Sequence, residues 1–486
     1  MKKIKNILFY IAIIGGFSLV IYWILTVGRN LEAGRSIVTN IASGNAFQDS
    51  MSSFVSNLQH PAGILLLQVT TIIIVARLLG WVFRKIGQPS VLGEILAGII
   101  LGPSLLGLYL PDVSSFIFPV QSIGNLQILS QIGLVLFMFV IGMELNLDVL
   151  KNKVHEAVVI SHASIILPFA AGMGLAYFIY SEFAPDGISF LSFSLFLGIS
   201  MSITAFPVLA RIIQERGMQK TRLGAIAITC AAADDITAWC LLAAVIAVVK
   251  AGSLVSSIYT ILLAVTYVIV MIKVARPLLK RIGESYKEGD EGSKSYIAIF
   301  FLVLLASSFV TETIGIHALF GAFMAGVVMP DKEKFRQMFI NKLEDIALVL
   351  LLPLFFVVTG LRTEIGLLNN VGLWEVTGLI ILVAIFGKFI GSAAAAKFTG
   401  QSWKDSLTIG TLMNTRGLME LVVLNIGYDL GVLNAEMFSM MVIMALVTTF
   451  MTGPLLNLIQ KVFKHSGAET ETRYKKEADV VSALKK

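Results

Sequence analysis

Asp234 and Asp235 stand side by side in AITCAAADDITAWCLLAAVIAV, about 13 residues from either end of an apolar stretch. An ionisable group so deep in a bilayer is costly and asks for a reason. A carboxylate there can take up and release a proton, or it can hold a cation. Consecutive helical residues point about 100° apart, so the two carboxylates cannot share one proton face to face as an aspartic dyad does. One can face a cavity while its neighbour reaches a partner helix. Merely satisfying a helix contact is the plainer alternative, and a single Asn would do that at lower cost. Lys388, in LIILVAIFGKFIGSAAAAKF, is the second deep charge. Gly387, Gly391 and Ser392 beside it let another helix approach closely, so an ion pair with one of the aspartates is expected. The alternative is a lysine that snorkels to the interface.

Two segments carry residues that break a helix. In FSLFLGISMSITAFPVLARII the cluster Ser200, Ser202, Thr204 precedes Pro207, which removes an amide donor. In LTIGTLMNTRGLMELVVLNIG the run Asn414, Thr415, Arg416, Gly417 interrupts an apolar helix. Irregular backbone at membrane depth is tolerated only where it is buried in protein or lines a cavity, and its freed carbonyls and half-helix ends can compensate charge. Glu420 lies one turn beyond Arg416, the spacing of a local i,i+4 pair. Arg77, Glu94, Glu144, Glu344 and Asp345 fall near the ends of stretches, where anchoring, gating and plain solvation compete. Glu312 and His317 form a pH-sensitive funnel or simply lie at the surface.

The elements that hold these residues are membrane helices. Of 486 residues, 56% are hydrophobic and only 14% charged, against roughly 25% charged in ordinary globular chains. Apolar runs of about 20 residues recur along the chain, continuous rather than alternating, so helices are indicated and a barrel is not. Fourteen spans are expected, from 7–27 through 61–83, 187–212, 221–249, 254–275 and 405–427 to 435–459. With the N-terminus inside, 30 of the 37 Lys and Arg residues fall in loops on that side, and Arg29, Arg35, Lys250 and Arg362 fall opposite. That bias explains the +6 net charge and removes nucleic-acid binding as a reading. Cys230 and Cys240 share a helix about 15 Å apart, too far for a disulfide.

The segment before residue 60 reads as a retained N-terminal helix and an extracytoplasmic loop, and 461–486 as a polar tail that is disordered or briefly helical. If 61–249 and 295–459 are two six-helix units joined by 254–275, each broken segment is the fifth helix of its unit. The first unit starts outside and the second inside, which is the inverted-repeat arrangement of secondary transporters.

The strings SMSITAFPVLARI, AAADDITAW, IGIHALFGAFMAGVVMP, LLLPLFFVVTGL and LMNTRGLMELVVLNIG, in that order, resemble the monovalent cation:proton antiporter-2 family, close to its plant CHX-type and bacterial Na+(K+)/H+ members. The resemblance covers roughly 61–459. It implies an all-helical core of thirteen helices with two crossed, unwound helices, a dimerisation domain and hence a homodimer. It also implies that Asp235 binds the transported Na+ or K+, or a proton, that Asp234 pairs with Lys388, and that Thr204 and Thr415 mark the unwound segments. Plant members usually carry Asn-Asp where this chain has Asp234-Asp235, which favours electrogenic exchange. Kef-type relatives append a nucleotide-binding domain that this chain lacks, and the N-terminal span is an addition to the core.

The expected activity is therefore secondary antiport by alternating access, without enzymatic chemistry or cofactor, in the inner cell membrane with both termini cytoplasmic. Its partners are Na+ or K+, protons and membrane lipid. A cation channel would need a continuous pore. An intramembrane aspartyl protease would need carboxylates from separate helices, which adjacent aspartates cannot supply.

Overall fold

The computed structural model describes residues 2–32, 51, 54, 60–144, 154–216, 218, 221–251, 254–284, 293–330, 336, 340, 343 and 346–483. They are helical, with no strand among them. The chain divides into two compact units, 1–63 and 64–486. The first contains α1 (Lys2–Gly28) and a 3-10 turn, Arg29–Glu32. The described side chains of α1 are almost all exposed, Phe9, Leu19 and Tyr22 among them, as suits a helix bathed in lipid.

In the second unit the order is α2 (Pro61–Lys85, whose first residues precede the boundary), α3 (Ser90–Leu101), α4 (Leu106–Tyr109), α5 (Pro111–Ile117), α6 (Val120–Glu144), α7 (Val154–Phe183), α8 (Phe190–Ser202), α9 (Phe206–Glu215) and α10 (Arg222–Ala251). There follow α11 (Leu254–Val270), a π-helical turn Met271–Ala275, α12 (Arg276–Glu284), α13 (Ser293–Ile314), α14 (Ala318–Val327), a second π-helical stretch Ile346–Leu351 and α15 (Leu352–Leu361). The last elements are α16 (Val371–Ile385), a third π turn Phe386–Ile390, α17 (Gly391–Phe398), α18 (Trp403–Met413), α19 (Leu418–Asp429) and α20 (Ala435–Ala483).

Among the described residues, eleven helices are long and apolar enough to cross a membrane. Three other expected spans are made of shorter pieces: α8 with α9, α14, and α18 with α19. The chain is a multi-pass membrane protein. Two expectations change. The helix expected to end at 275 passes through a π turn and continues to Glu284, and the tail after 461 prolongs α20 to Ala483. Glu344 and Asp345 lie outside the described residues, as do the side chains of Glu144 and Pro207.

Packing sorts the second unit into two groups. In one, α7 packs on α8, α10, α16 and α17, α18 packs on α10, α17 and α20, and α19 packs on α8 and α20. In the other, α3 packs on α15, α6 on α14 and α15, and α13 on α14. α2 joins the second group through Ile72 and Ala76, buried with Ala97, Leu126 and Leu354. Glycines set how closely this second group packs. A Cβ on Gly98 would lie 2.7 Å from the Gly360 Cα, and one on Gly142 would lie 3.0 Å from the Gly326 Cα. Backbones meet at both crossings, α3 with α15 and α6 with α14, because neither partner has a side chain there.

Candidate functional site

The two expected breaks cross each other. α8 stops at Ser202, residues 203–205 are not helical, Ile203 being extended, and α9 begins at Phe206. α18 stops at Met413 and α19 resumes at Leu418 after Asn414–Gly417. Where the chains meet, the Ala205 N–H donates to the Thr415 carbonyl at 3.1 Å. Gly417 has φ 158° and ψ −128°, and a Cβ there would come within 3.0 Å of Val208 Cγ2. A helix that ends inside the protein leaves its last carbonyls without amide partners, at the negative end of its dipole. For α8 two cations fill that role. The Arg416 guanidinium donates to the carbonyls of Ser200 at 3.1 Å and Met201 at 2.7 Å, and the Lys388 ammonium donates to that of Ser202. Arg416 also pairs with Glu420 at 3.0 Å, and the three charged side chains here, Arg416, Lys388 and Glu420, are fully buried.

Lys388 reaches this position through local irregularity. It sits in the π turn Phe386–Ile390, an insertion that re-aims side chains within a helix. Gly387 and Gly391 press this segment onto α7, where Cβ atoms would lie 2.8 Å from Pro168 Cα and 2.9 Å from Leu167 Cδ1. Pro168 lies inside α7 and has no N–H for the carbonyl one turn back, that of Ser164. Lys388 Nζ donates to that freed carbonyl at 3.1 Å and lies 3.6 Å from Asp234 Oδ2.

The two aspartates have opposite surroundings. Asp234 is saturated: Ser161 Oγ donates to its Oδ1 at 2.6 Å, while Ser164 Oγ at 2.6 Å and Thr204 Oγ1 at 2.7 Å donate to Oδ2. Asp235, only 2% exposed, has no hydrogen bond of full geometry to either oxygen, although the Phe206 amide at the start of α9 bears on it. It lines a cavity of about 10 Å³ with Ile203, Ala238, Trp239, Leu242, Met419 and Val423, close to the smallest space that admits a water. The indole N–H of Trp239 is likewise buried without an acceptor.

Thus Thr204, Asp234, Lys388, Arg416 and Glu420 converge around the crossing. Other expected site residues point elsewhere. The Thr415 hydroxyl lies 3.3 Å from that of Thr452, and the Asn414 amide faces Met451 Sδ at 3.9 Å, both on α20. Ser202 engages through its carbonyl, its hydroxyl bonding back to Gly198 at 2.7 Å. Pro207 lies in the first turn of α9. Ser161 and Ser164 carry only a weak signal in the sequence, two serines one turn apart in ISHASIIL.

A second, larger cavity of about 410 Å³ lies between the two packing groups, with Gln127, Ser308, Glu312, His317 and Arg362 on one side and Val422, Asn425 and Asp429 of α19 on the other. Arg362 bridges it, pairing with Asp429 at 2.9 Å and donating to Asn425 at 2.8 Å. Glu312 accepts the Ala318 amide at 2.8 Å and His317 caps α14, so both serve helix ends while lining the cavity. One to two turns deeper along α19, Met419 and Val423 face the Asp235 cavity.

The sequence of this chain can be set against known proteins. It is 42% identical over 394 residues to the Na+/H+ antiporter NhaS4 of Synechocystis sp., covering 81% of this chain and 96% of that protein. It is 41% identical to Cation/H+ antiporter 17 of Arabidopsis thaliana over 86% of this chain, and 34% identical to K+/H+ antiporter 1 of Saccharomyces cerevisiae over 84%. The matched region spans about half the length of these last two, 50% and 48%. The solved structure of the sodium proton antiporter MjNhaP1 from Methanocaldococcus jannaschii matches with a TM-score of 0.60 at 13% identity, over 79% of this chain and 94% of that one, and shows a shared fold. The profile of the transmembrane sodium/hydrogen exchangers matches residues 72–461. Taken with the crossed, charge-capped half-helices, that match places the chain in the sodium/hydrogen exchanger family.

Proposed function

We propose that this protein is a secondary antiporter that exchanges a monovalent cation, Na+ or K+, for protons by alternating access, with Asp235 as the carrier group. The observation that carries the reading is the contrast between neighbours: Asp234 holds three hydroxyl donors and a lysine, whereas Asp235 is buried with no hydrogen bond of full geometry. An unpaired carboxylate at that depth must be neutralised, by a proton or by a cation, and one ligand excludes the other. Exclusive occupancy couples the two fluxes. The relatives named as Na+/H+, K+/H+ and cation/H+ antiporters support the class of exchange and leave the cation to experiment.

Asp234 and Lys388 act as a pair that holds the crossing together and loosens when the cation binds. A proton released from Lys388 makes the cycle electrogenic. The 61–249 and 295–459 repeats, the homodimer, and an inner-membrane location with both termini cytoplasmic belong to the same proposal. In that orientation the Arg362 cavity opens to the outer side. The test is proton flux driven by Na+, K+ or Li+ gradients in proteoliposomes with ionophore controls. Asp235→Asn should fold, as judged by gel filtration, and reduce exchange to the level of protein-free liposomes. Retained exchange by that variant would sink the assignment.

A further inference from the structure

Building on the reading of Asp235 as carrier, we propose that Trp239 sets how tightly the cation is held, its indole N–H acting as a built-in competitor for the carboxylate. Trp239 lies four residues after Asp235 on α10, so both side chains share one face. Long helical side chains lean toward the N-terminus, which carries the indole over the turn that bears Asp235. Both residues line the same small cavity, and its other walls, Ile203, Ala238, Leu242, Met419 and Val423, are apolar. Within it are a carboxylate with no hydrogen bond of full geometry, the Phe206 amide lying nearby, and an indole that lacks an acceptor, each buried to 4% exposure or less. A buried donor is normally satisfied, and here the polar side chain that shares its cavity is Asp235.

The ring packs against an aromatic neighbour on its other side. It stacks on Phe323 of α14, with centroids 6.3 Å apart and planes 22° apart. Trp239 thus sits where the two packing groups meet. A small rotation of the ring brings the N–H to the carboxylate when neither cation nor proton is bound, and a bound cation displaces it. The donor therefore stabilises the unloaded carboxylate, weakens cation binding and speeds release. A residue that only packs would do the opposite: disturbing it would loosen the site and weaken binding.

Trp239→Phe keeps an aromatic ring able to pack on Phe323 while removing the N–H. In proteoliposomes at fixed pH, this variant should show a half-saturating cation concentration at least threefold below wild type, with a lower maximal rate because the cation leaves more slowly. Trp239→Tyr, which restores a donor on a ring, should move back toward wild type. An unchanged or raised half-saturating concentration in Trp239→Phe overturns the proposal. A second measurement uses the native indole: with Trp23, Trp81, Trp374 and Trp403 replaced by Phe, titration with the exchanged cation should shift the remaining emission to the blue as the N–H loses its acceptor. No shift at saturating cation also overturns it. Asp235→Asn run alongside separates the two claims. If that variant exchanges, the carrier assignment fails; if it is inactive while Trp239→Phe binds as wild type does, only the role of Trp239 fails.

Discussion

Asp234 and Lys388 form a buried pair whose remaining bonding capacity is fully used. Three hydroxyls serve the carboxylate, and two carbonyls and the carboxylate receive the ammonium. Removing one partner of such a pair leaves an uncompensated charge and costs about 3–5 kcal/mol, whereas replacing both by apolar or neutral groups is often close to neutral. Lys388→Ala should therefore lower the thermal unfolding temperature in detergent markedly, and Asp234→Asn/Lys388→Met should recover much of the loss. Equal destabilisation by the single and double variants would show that the ion pair is not the source. The charges were legible in the sequence because so few residues are charged. Their partners were not: a serine in a membrane helix ordinarily bonds to its own backbone one turn back, as Ser200 does with Phe196 at 2.8 Å. Nothing local marks Ser161 and Ser164 as exceptions. The proline that frees the Ser164 carbonyl acts through an amide it lacks, and that effect becomes visible only once Lys388 is in place.

At the scale of elements, the breaks could be read and the crossings could not. Polar runs beside Pro207 and Gly417 disqualify a continuous apolar helix wherever they sit. The contact of one break with the other depends on tertiary packing, as do the π turn at Lys388 and the glycine crossings. The glycine pattern was present all the same. GEILAG at 93–98 and GAFMAG at 321–326 place glycines at equivalent positions of α3 and α14, and FMFVIG at 137–142 and FFVVTG at 355–360 do so for α6 and α15. The partners cross reciprocally, α3 on α15 and α14 on α6, which supports the proposed repeat. Substitution at such a crossing must push two backbones apart. Gly360→Val should abolish a monodisperse gel-filtration peak, or lower the unfolding temperature well beyond Gly174→Val, whose Cβ meets nothing within 4 Å. Similar behaviour of the two variants would mean that helix propensity, worth about 1 kcal/mol for glycine, dominates over contact.

At the scale of the whole molecule, the Asp235 pocket belongs to one packing group and most of the larger cavity's wall to the other. Alternating access at a single buried carboxylate requires that these groups move, since a fixed seam would expose Asp235 to one side only. Apolar side chains of both groups meet along that seam, Trp239 on Phe323 among them, and at the larger cavity a polar cluster crosses it. Arg362 of one group meets Asp429 and Asn425 of the other, and Asn425 donates in turn to Thr359 at 2.8 Å. Tyr428 adds its ring 5.4 Å from the guanidinium. Such a cluster can close reversibly, because Asp429 is 43% exposed and water replaces the bond it loses to Arg362. Tying the seam shut should stop the cycle without touching the site. With Cys230 and Cys240 replaced by Ser, cysteines at positions 359 and 425 joined by a short bifunctional thiol reagent should reduce exchange to background. Each single-cysteine chain treated with the same reagent should retain it. A cleavable linker should restore exchange on reduction, separating arrest from damage. Full exchange in a completely cross-linked sample would mean that α15 and α19 move together, and the two packing groups would then have to be redrawn around whichever helices do separate.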